Sequence, residues 1–464
     1  MCGVIGIYSK SNVATSLFYG MNSLQHRGQE ATGMAIDNGE EILRKRAMGL
    51  VIDAYTEESL RELAGNIGIG HVRYSTAEGS HDYNIQPIMG FVGGETIAIA
   101  NDGNLVNYQV LRERLEEEGM MFQTTNDTEV ILYLITRYYD GDIVAAIKKT
   151  MKVIKGAYSV TALLKGKVVA FRDPNGFRPL VLGRDEDDVI VASENAAIEI
   201  IGGKMTRDIG AGEILVIDET GIHSDHFESE DTPKNCIFEY VYFARNDATL
   251  DDINAYTFRR RCGEILWEEA PCDVDLVVPV PDSGIPSAIG YAQAAKIPYG
   301  EGLVKNRYMG RTFIKPTQKE RDMAVKLKLN PLGDVVKGKS IVLLDDSIVR
   351  GTTSRNLIHR LREAGAKEVH MRITSPPVKY SCYYGIDTPS KQAVQYWLIS
   401  FLPARAKPSM EIKARESAPI KALRKSKKTS APIPWPLSPW TAWPAPERRA
   451  WTITASLVST GTTR

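Results

Sequence analysis

The sequence predicts two α/β units in tandem, an αββα sandwich over residues 2–230 and a doubly wound parallel sheet over residues 231–390. Three observations predict them. Apolar strand-like runs alternate with helical patterns through the first unit, and Lys165-Gly166-Lys167 and Asp218-Glu219-Thr220-Gly221 read as turns between strands. In the second unit, Leu276-Val277-Val278-Pro279-Val280 and Ile341-Val342-Leu343-Leu344 are short apolar runs of the kind buried on both faces. Each stops at a polar mouth and is followed by a helix, near Pro286 and over Asn356 to Leu361, which is how a doubly wound sheet presents a ligand crevice.

The first element is Met1-Cys2-Gly3-Val4-Ile5-Gly6-Ile7-Tyr8, a cysteine followed by a short apolar strand. Removal of Met1 before a small residue leaves Cys2 with both a thiol and a free α-amine. The thiol needs a base to become a nucleophile, and an α-amine of pKa roughly 7.7–8.0 supplies one. An amphipathic helix from Leu17 to Leu24 leads into Gln25-His26-Arg27-Gly28-Gln29-Glu30. Gly70-His71-Val72-Arg73-Tyr74-Ser75-Thr76, Asp102-Gly103-Asn104-Leu105 and Thr125-Asn126-Asp127-Thr128-Glu129 follow. These runs resemble the motifs of class II glutamine amidotransferases, whose fold is the N-terminal-nucleophile αββα sandwich. The resemblance implies that Cys2 attacks the glutamine side-chain amide, with Arg73, Thr76 and Asp127 binding glutamine. Arg73 suits its carboxylate and Asp127 its ammonium. Asp102 and Gly103 fall at the oxyanion hole, where the family pattern is His-Asn-Gly-Asn but this chain reads Asn101-Asp102-Gly103-Asn104. An ionised aspartate only accepts hydrogen bonds. Three options follow: Asp102 is protonated, Asn101 or Asn104 takes its place, or glutamine use is impaired.

In the second unit the run Ile341 to Leu344 ends at Asp345-Asp346, followed by Ser347-Ile348-Val349 and Arg350-Gly351-Thr352-Thr353-Ser354. The acidic pair suits ribose hydroxyls or a metal ion on diphosphate. The hydroxyl-rich loop at a helix start suits a phosphate monoester. The segment resembles the signature of type I phosphoribosyltransferases. That resemblance implies substrate binding by Asp345, Asp346, Ser347, Arg350, Gly351, Thr352, Thr353 and Ser354. It places Ser283, from Pro281-Asp282-Ser283-Gly284, with Asp345 and Asp346 around Mg2+. It makes Lys305 to Ile314 a flap whose Lys305 and Arg311 reach the substrate.

Class II glutaminases also occur in glucosamine-phosphate synthases, asparagine synthetases and glutamate synthases, so the partner unit decides between reactions. Here a joining region, Phe238-Glu239-Tyr240-Val241-Tyr242-Phe243-Ala244-Arg245, leads to the phosphoribosyl signature. The combination implies that glutamine and 5-phosphoribosyl 1-diphosphate give 5-phosphoribosylamine, glutamate and diphosphate, the first step of purine synthesis. It also implies a homo-oligomer, dimer or tetramer, with purine nucleotides as feedback inhibitors. Two alternatives stand beside it: an ammonia-dependent transferase with an impaired glutaminase, and a non-catalytic phosphoribosyl-binding regulator.

Composition bounds the partners. Zero formal net charge, with 25% charged residues, suggests no nucleic acid. No apolar run approaches the roughly 18 residues of a membrane span, and no signal peptide is evident. Five cysteines without paired spacing argue against a disulfide framework and for the cytoplasm. Cys236 and Cys382 match two of four ligands of the 4Fe-4S cluster in some relatives, but no cysteine follows Cys382, so assembly is not expected. From Lys391 onward there are 13 Lys/Arg against 3 Asp/Glu, with five of the six tryptophans. This basic Trp/Pro-rich tail, 391–464, is read as frameshifted, disordered and outside the fold, the alternative being a genuine interaction tail.

Overall fold

A computed structural model describes residues 2–74, 81–229, 233–306, 329–348, 352–376 and 381–386. Its first unit holds thirteen strands: β1 Gly3–Tyr8, β2 Ala31–Asp37, β3 Ile42–Met48, β4 Ile67–Arg73, β5 Ile88–Val92, β6 Glu95–Leu105, β7 Gly156–Leu164, β8 Lys167–Arg172, β9 Val181–Arg184, β10 Val189–Ala192, β11 Lys204–Asp208, β12 Glu213–Asp218 and β13 Gly221–His226. They form two antiparallel sheets, in the orders β11-β9-β10-β1-β4-β2-β3 and β13-β12-β8-β7-β6-β5. The two expected turns are found, Lys165-Gly166 joining β7 to β8 and Glu219-Thr220 joining β12 to β13.

Period-2 alternation builds the layers. On β1, Val4 packs between the sheets while Ile5 and Ile7 face the helix Ala14–Ser23. On β6, Ala98 and Ala100 lie between the sheets, and Ile97 and Ile99 face the helices Tyr108–Glu117, Asp127–Tyr138 and Ile143–Val153. Small residues such as Ala35, Ala98, Ala100 and Ala170 keep the middle layer thin. The result is the expected αββα sandwich.

The joining segment makes a π-helical turn, Glu239–Phe243, then the hairpin β14 Thr249–Leu250 and β15 Ile253–Asn254. Its turn residues Asp251 and Asp252 have φ of 48° and 62°. The helix Ala255–Glu269 follows, its first turn capped by the Asn254 side chain accepting from Thr257 N at 3.1 Å. It presses on the helix Gly284–Ala295 through glycines. A Cβ at Gly290 would lie 2.0 Å from Arg260 O, and one at Gly263 1.9 Å from Ser287 O.

The second unit centres on β16 Leu276–Pro279, β19 Ser340–Asp345 and β20 Glu368–Ile373, parallel and in the order β16-β19-β20, with β17 Leu303–Lys305 and β18 Leu329–Pro331 paired beside them. Both faces are covered. Val277, Val342 and Leu344 pack under Ala288 and Tyr291 on one side, and Val278, Ile341 and Leu343 under Leu357, Ile358 and Leu361 on the other. This is the doubly wound arrangement expected. The helix after β19 begins at Thr352 and the one after β16 at Gly284, each a few residues before the apolar pattern that announced it. The expected division at residue 230 and the tail 391–464 fall outside the described residues.

Candidate active sites

Cys2 immediately precedes β1 and is in step with Val4, and Asp102 is in step with Ala98 and Ala100 on β6. Both therefore reach the edge of the layer between the sheets, where both are buried. The Cys2 nitrogen donates to Asp102 Oδ1 at 2.8 Å, and Cys2 Sγ lies 3.9 Å from the Tyr74 carbonyl oxygen. Burial pushes the Cys2 thiol up. Gly103 has no room for a side chain, since a Cβ there would sit 1.9 Å from Ala157 O on β7. Asn101 is held by its N–H donating to Gln86 Oε1 at 2.7 Å.

The two expected glutamine-binding charges flank this edge. Arg73 ends β4, is buried, and lies 3.6 Å from Glu30. Asp127 opens the helix Asp127–Tyr138, which the Asn126 side chain caps by accepting from Thr128 N at 3.0 Å. Its Oδ2 accepts from Leu105 N at 2.7 Å, tying it to the end of β6. Burial raises the Asp127 carboxyl to about 6. Thr76 lies outside the described residues.

Sequence reasoning gave no role to the group that organises this site, Arg27. Gly28 packs so closely on β4 that a Cβ would lie 2.5 Å from the Arg73 carbonyl carbon, and the preceding arginine is fully buried. Arg27 Nε donates to Cys2 O at 2.9 Å, Nη2 to Asp102 Oδ2 at 3.0 Å, and Nη1 to Glu194 at 2.7 Å and Glu239 at 3.0 Å. Arg178 joins Glu239 at 2.9 Å and donates to the Tyr384 carbonyl. Burial opposes the Asp102 charge, but Arg27 and then Arg178 outweigh it and hold the carboxyl below its usual range. Of the options the sequence left, this arrangement opposes a protonated Asp102. Arg27 and Glu239 stood in runs singled out from sequence; Glu194 carried no signal.

In the second unit the mouths of β16 and β19 lie side by side. A Cβ at Gly284 would be 2.7 Å from Leu344 O, so glycine permits that approach. The loop between β16 and its helix contains a cis Pro281–Asp282 peptide. Ser283 donates to Asp346, Ser347 Oγ donates to Asp346 Oδ1 at 2.5 Å, and Lys305 pairs with Asp282. Burial pushes both Asp345 and Asp346 up, and the neighbouring Asp346 charge adds to the effect on Asp345. Ser354 is buried in the helix Thr352–Glu363. Arg311, Arg350 and Gly351, and the side chains of Thr352 and Thr353, lie outside the described residues.

Two crowded carboxyls beside a hydroxyl fit a hard divalent cation that takes its remaining oxygens from substrate and water. Among the described residues no three or more His, Cys, Asp or Glu side chains gather as a metal cage. The cysteines do not fit an iron–sulfur cluster. Burial raises Cys236 and the nearby Cys382 adds to it, but Cys262 is buried in the helix Ala255–Glu269 and pushed up to about 12, Cys272 lies against Arg372, and Cys2 is held against Asp102 in the first unit. Two thiols do not supply four ligands.

Known proteins carry the same pair of units. A family model described as a glutamine amidotransferase domain matches residues 71–199, and one described as a phosphoribosyl transferase domain matches residues 258–375. Amidophosphoribosyltransferase from Methanothermobacter thermautotrophicus is 50% identical over 396 residues, covering 84% of each chain. The chain belongs to the amidophosphoribosyltransferase family. The Methanocaldococcus jannaschii member is 47% identical over 84% of this chain and 87% of its own. The solved glutamine phosphoribosylpyrophosphate amidotransferase of B. subtilis, described as complexed with ADP and GMP, has 42% identity and a TM-score of 0.79, covering 84% of this chain and 85% of that one. As an amidophosphoribosyltransferase, this chain is a pentosyltransferase of purine biosynthesis, making 5-phosphoribosylamine from glutamine and 5-phosphoribosyl 1-diphosphate.

Proposed function

We propose that the two sites divide this reaction between them as follows. With Met1 removed, Cys2 attacks the glutamine amide, the Gly103 N–H faces the developing oxyanion, and Arg73 and Asp127, with Thr76, hold the amino-acid end. Ammonia released there reaches the anomeric carbon in the second unit. Asp345 and Asp346 hold the ribose hydroxyls, Ser347 and the segment from Arg350 to Ser354 hold the 5′-phosphate, and Lys305 and Arg311 close over the diphosphate. Mg2+ held near Ser283, Asp345 and Asp346 would neutralise charge on the leaving diphosphate. Covering the sugar shields a cationic transition state and the incoming ammonia from water. Purine nucleotides inhibit the enzyme, which works as a homo-oligomer in the cytoplasm. The sandwich ends near residue 230, the transferase unit spans 231–390, and the rest is not part of either.

The observation that carries this reading is the burial of Cys2 with its nitrogen on Asp102, which turns an N-terminal residue into a held active-site group. The test is diphosphate release with glutamine and, separately, with ammonium. Cys2→Ala is expected to cut the glutamine-dependent rate by at least about 10³-fold while the ammonia-dependent rate survives. Equal loss of both would make Cys2 structural. One observation favours a second reading: Asp102 only accepts in this arrangement. A missing oxyanion donor costs on the order of 10²–10³ in rate, so glutamine use can be weak in an enzyme that works well with ammonia. Diphosphate release with neither nitrogen source would instead mark a phosphoribosyl-binding regulator.

A further inference from the structure

Asp102 and Arg27 grip Cys2 from both ends. Asp102 Oδ1 accepts from the Cys2 nitrogen at 2.8 Å, and Arg27 Nε donates to the Cys2 carbonyl at 2.9 Å. The two grips are joined by the Arg27 Nη2 to Asp102 Oδ2 contact at 3.0 Å, with both side chains fully buried. Each Asp102 oxygen thus faces a donor. A side chain whose task was to donate to an oxyanion would leave a proton facing the thiol, and this one places an acceptor on the nitrogen instead.

Resting on the assignment of Cys2 as nucleophile, we propose that Asp102 is a positioning residue, the counter-ion of the Cys2 α-amine. With Met1 gone, the nitrogen that Asp102 holds becomes that amine. When the thiol ionises, the S–H bond breaks, its electron pair stays on sulfur, and the proton forms a new N–H bond on the α-nitrogen. The ammonium so formed lies against the Asp102 carboxylate. Collapse of the tetrahedral intermediate breaks the C–N bond, and the same proton returns from the α-nitrogen to the departing ammonia. The aspartate thereby trades an oxyanion donor for a more basic amine.

The charges facing this pair come from every neighbouring element. Arg27 follows the first helix, with Glu194 and Glu239 behind it, Arg178 approaches from the loop after β8, and His71 and Arg73 lie on β4. Burial pushes His71 down to about 3, so it stays neutral near pH 7. Arg27 and Arg178 are held charged by their carboxylates, despite burial. Burial raises the Asp127 carboxyl to about 6, and His26 stands 2.8 Å from Glu194 behind Arg27; both are the same in the wild type and in Asp102→Asn, so a difference between the two profiles reports the Cys2 nitrogen.

The test is the pH profile of glutamine-dependent kcat/KM in the full-length enzyme and in Asp102→Asn, with mass spectrometry confirming that both start at Cys2. Ammonia-dependent diphosphate release, which bypasses Cys2, reports whether the variant is folded. An opposite charge at this range raises a basic group by about one unit or more. The acid limb is therefore expected to move down by about one pH unit in Asp102→Asn. An unmoved limb in a folded variant overturns the proposal and makes Asp102 merely structural. Wild-type glutamine use that falls as pH rises from 6 to 8, with that fall absent in Asp102→Asn, overturns it in favour of a protonated donor. If the variant does not fold, the unaltered enzyme labelled with 15N-cysteine decides: the α-amine should titrate above the free range of about 7.7–8.0, and a value within or below that range overturns the proposal. Glutamine use that survives Cys2→Ala would instead refute the nucleophile assignment on which the proposal rests.

Discussion

At the scale of the residue, buried charge sets the chemistry. Asp127 illustrates the sign of a pH effect. Burial raises its carboxyl to about 6, against the Leu105 N–H that favours the ionised form. Its proposed task is to pair with the glutamine ammonium, so only the carboxylate serves. As pH falls through 6 the carboxyl takes up a proton and the pairing is lost. KM for glutamine should therefore rise at least severalfold between pH 7 and pH 5, while the KM for 5-phosphoribosyl 1-diphosphate follows a different curve. Asp127→Asn should raise KM at all pH values and flatten the dependence. Asp345 and Asp346 make the complementary case, two carboxyls raised by burial and, for Asp345, by its neighbour. Changing both to Asn should abolish glutamine- and ammonia-dependent turnover alike, losing about 10²-fold or more in affinity for the phosphoribosyl substrate. Titration calorimetry with Mg2+ present checks this, and unchanged affinity would remove the loop from the site.

At the scale of the element, glycine contacts position the machinery. The helix Gly284–Ala295 begins at the loop bearing Ser283, and its seat on the helix Ala255–Glu269 depends on Gly290, where a Cβ would meet Arg260 O at 2.0 Å. Gly290→Ala must push these helices apart, at a cost of about 1–3 kcal/mol by overpacking. Denaturant unfolding should show that loss. The ammonia-dependent rate should fall several-fold, because the Ser283 loop moves against Asp346, while hydrolysis of glutamine without the phosphoribosyl substrate changes less. Sequence located these elements well where their patterns were strong. Ile341 to Leu344 and Leu276 to Pro279 are strands as expected. Short strands such as Val181–Arg184 and Lys204–Asp208 were not legible, because four or five residues with exposed charges carry too little alternation.

At the scale of the whole molecule, the Arg27 cluster extends beyond the sandwich. It joins Cys2 and Asp102 to Glu239 in the joining segment, and Arg259 on the following helix donates to Tyr240 O at 2.8 Å and Ala244 O at 2.7 Å. Burial raises the Asp346 carboxyl, and the same helix brings Arg259 near enough to oppose part of that rise. Polar contacts therefore lead from the Cys2 backbone to the joining segment and Arg259, whose charge acts on the acidic pair. The relatives cover 84% of the chain. A chain truncated after Ser390 is expected to retain both activities within about twofold, since the opposite charge balance and clustered tryptophans of residues 391–464 set them apart from the rest. Loss of either activity in the truncated enzyme would give the tail a role.

The sequence by itself determined the chemistry on offer: a cysteine at the second position, an acidic pair at the end of an apolar strand, a hydroxyl-rich loop, and two units in order. These are local patterns, written in residues adjacent along the chain, so they survive without a fold. Only the tertiary structure decided what Asp102 faces. Cys2, Arg27, Asp102, Glu194 and Glu239 are separated by up to 237 positions, yet meet in one buried cluster. A carboxylate exposed to water would carry no such meaning. Burial between two sheets makes each of its contacts costly to leave unmade, and that cost, set by packing rather than by order along the chain, fixes the aspartate on the cysteine nitrogen.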